Sequence, residues 1–257
     1  MDIKGHLAAG ALKLIGRLPL SWSRCLGRLA GKTAVLLRTE GLRLSRINLA
    51  QCYPAMNPKQ REKLARESVV NTAVTGFEMA SIWHHPWAVN EKTIVSVRNQ
   101  HLLSLGEEGG RGTLVLMPHT GNWEIFGMYL AAMGPSMALY QPPKIAELDP
   151  VIRGGREKTG AQMVPTNIHG VRSLLKCLKA GHVAMVLPDQ EPDMGGDFAP
   201  FFGRPALTMT LAHNLLQRTK CHVVFGFGKR VEGGLNWCFC PPRTQFTVKS
   251  RRSPWRR

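Results

Sequence analysis

The chain has 257 residues, enough to bury a large core without disulfides or bound metal. Its 44% hydrophobic content excludes a disordered polymer, and no run of roughly 18 apolar residues marks a membrane-crossing helix. Lys and Arg number 34 against 17 Asp and Glu, a net charge of +17, so the partners to consider are polyanions: nucleic acid, anionic lipid headgroups, phosphorylated substrates or acidic proteins.

Residues 6–38 read as two helices broken at Pro19. The first carries Leu7, Ala8, Ala11, Leu12, Leu14, Ile15 and Leu18, and the second repeats Arg24, Arg28 and Lys32 every four residues as a basic stripe. An apolar face beside such a stripe suits a helix lying in a membrane interface; the alternative is an amphipathic helix docked on the domain. The N-terminus lacks a signal-peptide layout, because Lys13 and Arg17 interrupt its apolar stretch. Helices are expected at 41–52 and 58–83, with Pro58 at a first helical position. His84 and His85, in the WHHPW segment that closes the second of these, point in different directions as neighbours and read as having a loop or surface role rather than as a metal pair.

From about residue 94 strands and helices alternate. TLVLM (Thr113–Met117) and VAMVL (Val183–Leu187) read as buried strands, with further strands near Met137–Tyr140, Met163–Val164 and His222–Phe227. Helices are expected at Trp123–Met133, Glu147–Lys158, Val171–Lys179 and Leu207–Arg218. This is an α/β pattern, a mixed sheet flanked by helices. The six cysteines form no Cys-x-x-Cys pair, so no zinc site is signalled and free thiols in a reducing compartment are expected; Cys238 and Cys240 would share one strand face.

The chemistry concentrates in MPHTGNWEIF, Met117–Phe126. A buried strand ends at Pro118; His119, Thr120 and Gly121 make a turn; a helix starts near Asn122, a favoured N-cap, with Glu124 in its first turn. Ligand sites of α/β sheets gather at the carboxyl ends of strands, where His119 sits. If the chain folds back, Glu124 can accept a hydrogen bond from one imidazole nitrogen and leave the other free to take a proton. The alternative is a histidine at a strand end and a glutamate on a helix surface. Asp189 also follows a buried strand, and there it would orient an arginine or a substrate group, or merely stabilise its loop. Gly195–Gly196 and Phe198–Gly203 read as a partly apolar loop, with Phe201 and Phe202 in a groove or in the core.

Four segments taken together, in this order and spacing, resemble the bacterial lipid A biosynthesis late acyltransferases over roughly residues 6–242: PHTGNWE (Pro118–Glu124), LYQPPK (Leu139–Lys144), LPDQEP (Leu187–Pro192) and FFGRPALTMT (Phe201–Thr210). The resemblance implies a glycerolipid-acyltransferase-like fold. It divides the chain into membrane-interface helices (1–38), an acyltransferase domain (39–242) and a basic tail (243–257) whose sequence departs from the family's pattern. It further implies an acyl carrier protein thioester as donor and a hydroxyl of a lipid A precursor as acceptor. No cofactor or metal is implied. His119 and Glu124 would be the catalytic pair, with Arg156, or Arg153 close by, and Asp189 engaging substrate. A basic surface fits an acidic carrier protein, anionic inner-membrane lipids and a place on the cytoplasmic face of the inner membrane. Three rivals remain: another acceptor, glycerol phosphate or a mannosylated lipid; an inactive membrane scaffold; and a nucleic-acid-binding protein, which rests on charge alone because no zinc-finger or RNP-type pattern occurs.

Overall fold

The structure, a computed structural model, describes residues 3–103, 111–192 and 195–242, and the basic tail lies outside these. Prolines punctuate its helical beginning. The helices α1 (Ile3–Gly16) and α2 (Leu20–Leu36) flank Pro19, and α3 (Glu40–Cys52) and α4 (Pro58–His84) follow. Asn57 caps α4 by accepting from the Lys59 N–H at 2.9 Å, and Pro58 occupies the first helical position, where a missing N–H leaves nothing unpaired. Two glycines let α2 lie directly on α4: a Cβ at Gly27 or Gly31 would come within 2.6 Å of the Cα of Val74 or Val70. Arg24 is carried inward by the same packing, and its Nε donates at 2.6 Å to the carboxylate of Glu78, which is fully buried on α4. The basic stripe expected on α2 is therefore reduced to Arg28 and Lys32, because a buried carboxylate holds the third cation. Trp22, Leu29 and Leu36, seven residues apart on α2, are exposed, as are Ile3, Leu7 and Leu14 on α1. Among the described residues no helix is long and apolar enough to cross a membrane.

The chain divides into compact units between His85 and Pro86. The helices α3 and α4 thus group with α1 and α2, and the boundary expected after residue 38 falls inside this helical unit.

In the second unit α5 (Trp87–Glu91) leads into a seven-stranded sheet. Its strands are β1 (Ile94–Arg98), β2 (Thr113–Leu116), β3 (Ser136–Tyr140), β4 (Ala161–Pro165), β5 (Val183–Val186), β8 (His222–Val231) and β9 (Gly234–Cys240), in the order β1-β9-β8-β2-β5-β3-β4. The run β8-β2-β5-β3-β4 is parallel; β9 opposes β8, and β1 runs with β9. The sheet is mixed, and helices flank it as the alternating pattern predicts. Every residue of β2 and β5 is buried, which is why both read as unbroken apolar runs. Leu114, Leu116, Ala184 and Val186 pack on one face against Leu174 and Leu178 of α8 (Ile168–Lys179) and Leu215 of α9 (Leu211–Thr219). On the sheet's other side Phe126 of α6 (Trp123–Met133) meets the rings of Trp237 and Phe239 at 5.0 and 5.4 Å.

Two expectations are corrected around residue 200. Phe198–Gly203 is not a loop but the end of an antiparallel hairpin, β6 (Gly196–Phe201) and β7 (Arg204–Met209), and the helix expected from Leu207 begins at Leu211. Prolines disguised these strands, since proline donates nothing to a ladder; here Pro200 and Pro205 face each other across the pair. Phe198, Phe201 and Phe202 are exposed, so they belong to no core.

Candidate active site

Two strands with matching endings build the site. Thr113-Leu-Val-Leu-Met-Pro-His119 and Val183-Ala-Met-Val-Leu-Pro-Asp189 lie side by side in parallel, paired from Thr113↔Val183 to Leu116↔Val186. The Met117 N–H extends the ladder to the Val186 carbonyl at 3.1 Å. Each chain then leaves the sheet through a proline, and the constant register brings His119 opposite Asp189. One oxygen of Asp189 accepts from the His119 backbone N–H at 2.8 Å, and the other binds His119 Nδ1 at 2.8 Å. An ionised carboxylate only accepts, so Nδ1 carries the ring proton and Nε2 keeps its lone pair. The imidazole also meets the edge of Trp123, with ring centroids 5.1 Å apart.

The turn after His119 has a strict steric requirement. Gly121 adopts φ +63°, and a Cβ there would stand 1.9 Å from the Gly228 carbonyl oxygen, so only glycine fits. Asn122, wholly buried, caps α6 by accepting from the Ile125 N–H at 3.3 Å, as its residue type predicts. Glu124 follows in the first turn of α6 and is 4% exposed.

The carboxylate of Glu124 holds an arginine. Arg156, in the last turn of α7 (Asp149–Glu157), donates through Nε to Glu124 Oε2 at 2.9 Å and through Nη2 to Oε1. The guanidinium carbon lies 5.2 Å from the Tyr140 ring centroid, and the Tyr140 hydroxyl donates at 2.6 Å to Asp149 in the first turn of α7. Burial opposes the charge on Arg156, but the hydrogen bond and charge of Glu124 outweigh it and hold its pKa above the ordinary arginine value. Burial and the bond to Asp149 push the Tyr140 hydroxyl up.

The structure therefore redistributes the partners expected from sequence. The bond foreseen from Glu124 to the imidazole is not made: His119 is held by Asp189, and Glu124 pairs with Arg156. Arg153 turns away, its Nε bonded to Glu157 at 3.1 Å and its side chain half exposed. A cavity of about 300 Å³ adjoins the two pairs, with His119, Trp123, Glu124 and Arg156 on its wall. Arg153, Phe201 and Phe202 are not part of that wall. The rest is mainly apolar side chains, so the site combines an oriented imidazole, a fixed guanidinium and room for a hydrocarbon.

Comparison with known proteins identifies the family. The profile of the bacterial lipid A biosynthesis acyltransferase family matches residues 3–249. The chain is 28% identical over 212 residues to the lipid A biosynthesis palmitoleoyltransferase of Escherichia coli (strain K12), covering 81% of this chain and 68% of that protein. It matches the lipid A biosynthesis acyltransferase of Shigella flexneri to the same extent. With the lipid A biosynthesis lauroyltransferase of Escherichia coli (strain K12) it shares 22% over 240 residues, 92% of this chain and 78% of that protein. With a family profile spanning nearly its whole length, the chain belongs to the bacterial lipid A biosynthesis acyltransferases.

Proposed function

We propose that this acyltransferase moves a fatty acyl group from an acyl carrier protein thioester to a hydroxyl of a lipid A precursor, with His119 as general base. The observation that carries this reading is the double hold of Asp189 on His119 beside an apolar cavity. Nε2 takes the proton of the acceptor hydroxyl as its oxygen attacks the thioester carbonyl. The tetrahedral intermediate then collapses, the ester C–O bond stands, the C–S bond breaks, and the imidazolium returns its proton to the departing thiolate. Asp189 orients the imidazole and steadies its cationic form. Arg156, fixed by Glu124, supplies positive charge for the oxyanion. The nucleophile belongs to the substrate, so the protein needs a base and an anion site but no nucleophilic side chain.

We place the reaction at the cytoplasmic face of the inner membrane. Exposed apolar residues on α1 and α2, exposed Arg28 and Lys32, and the aromatic end of the β6–β7 hairpin support a bilayer contact. The net charge of +17 suits an acidic carrier and anionic lipids.

The test is direct. Purified His119→Ala should retain the wild-type melting temperature and lose about 10²- to 10⁴-fold in transfer from an acyl carrier protein thioester to the precursor. Mass spectrometry of lipid A from cells with and without the chain should differ by one acyl group. Wild-type turnover by His119→Ala would dismiss the imidazole as base.

A further inference from the structure

The cavity beside His119 is bounded partly by α6, and the residue there with least reason to be what it is, judged by protein contacts alone, is Gly127. Positions 124, 127 and 128 share one face of the helix, one turn apart, so Gly127 lies immediately beyond Glu124 on the cavity wall. A glycine inside a helix is less favourable than alanine. Its backbone is ordinary helix, not the left-handed conformation that calls for glycine. Among the described residues a Cβ built on it would meet only Met117 Cε and Met185 Sδ, each at 3.8 Å, which is normal van der Waals contact. No neighbour among the described residues excludes a methyl group, and the space such a methyl would take belongs to the cavity.

The other walls differ in kind. Met117, Met128, Met163 and Met185 line the same space, and methionine side chains shift readily around a guest. The backbone of α6 at position 127 cannot, because Phe126 on one side of it is wedged against Trp237 and Phe239. A fixed surface bare of side chain, among walls that yield, is a part of the cavity that a bound chain cannot push aside.

We infer that Gly127 sets the upper length of the acyl chain this enzyme accepts. The inference rests on the acyl-transfer reading, and it is tested by a binding measurement that does not require turnover. Free saturated fatty acids of increasing chain length displace an environment-sensitive fluorescent fatty acid from wild type, Gly127→Ala and Gly127→Met; transfer from the corresponding acyl carrier protein thioesters is measured in parallel. Each substitution should move the cut-off to shorter chains, in the order Ala then Met. Affinity for the longest chain that wild type binds should fall about tenfold or more relative to the shortest, the scale on which single methylenes are discriminated in apolar pockets. Thermal unfolding of Gly127→Ala should occur at or above the wild-type temperature, which separates loss of room from loss of fold. A shifted binding cut-off without transfer by wild type would support the inference and reject acyl transfer. Unchanged length profiles, a parallel loss at every length, or no displacement from wild type by any chain would overturn it.

Discussion

At the residue scale, Asp189 carries the strongest claim that the structure adds. It grips His119 twice, at the backbone N–H and at Nδ1, both at 2.8 Å, so the ring has one tautomer and one orientation. An amide in its place can offer an N–H to Nδ1 and favour the wrong tautomer. Asp189→Asn is expected to lower kcat by roughly 10³- to 10⁴-fold with KM little altered, as for the equivalent change in other His–Asp pairs. Steady-state kinetics across pH checks this; an unchanged kcat would reduce Asp189 to a loop support. Glu124 and Arg156 form a separate unit: the buried carboxylate fixes a planar cation against Tyr140 where a lysine's point charge would not reproduce the fork.

At the element scale, α3 and α4 are clasped by charge. Arg46 of α3 binds both oxygens of Glu62 on α4 at 2.7 Å, and Arg66 joins at 2.7 Å. Hydrogen bonds from Arg46 and Arg66 hold the Glu62 carboxyl at about 2 rather than 4.5. A depressed carboxyl stabilises the fold above the unfolded value, and the contribution disappears as pH falls through the folded value. Glu62→Gln should therefore melt slightly below wild type at neutral pH, and the gap should close between pH 4.5 and pH 2. The gap is small and salt-sensitive because Glu62 is 33% exposed. Thermal melts over that range decide it, and a gap independent of pH would mean that the clasp is inert.

At the scale of the whole molecule, charge and exposed apolar surface make one joint demand. The net charge of +17 is expected to draw the protein to anionic surfaces over a range that salt shortens, while the exposed residues of α1 and α2 and the hairpin phenylalanines would act only on contact. Sedimentation with anionic vesicles should be strong at low ionic strength and partly retained at high salt. The double change Phe201→Ser and Phe202→Ser should remove much of the salt-resistant fraction and leave the salt-sensitive one. Equal sedimentation by that variant at high salt would exclude the hairpin from the bilayer contact.

Local chemistry in the sequence determined the helices broken at Pro19, begun at Pro58 and capped at Asn122, the buried β2 and β5, and a histidine at a strand's carboxyl end. Each of these follows from side-chain periodicity or from one residue's effect on its own backbone. Even the separation of 70 residues between His119 and Asp189 had a trace, the repeated strand-Leu/Met-Pro ending, but nothing local says that those two strands are neighbours. Tertiary structure alone decided which carboxylate meets the imidazole, which arginine enters the cavity, that Arg24 turns inward to Glu78, and that Pro200 and Pro205 sit within a hairpin. The reason is physical. Strand order and register come from main-chain pairing between distant segments, and the pairing of charges follows from where that register sets them down.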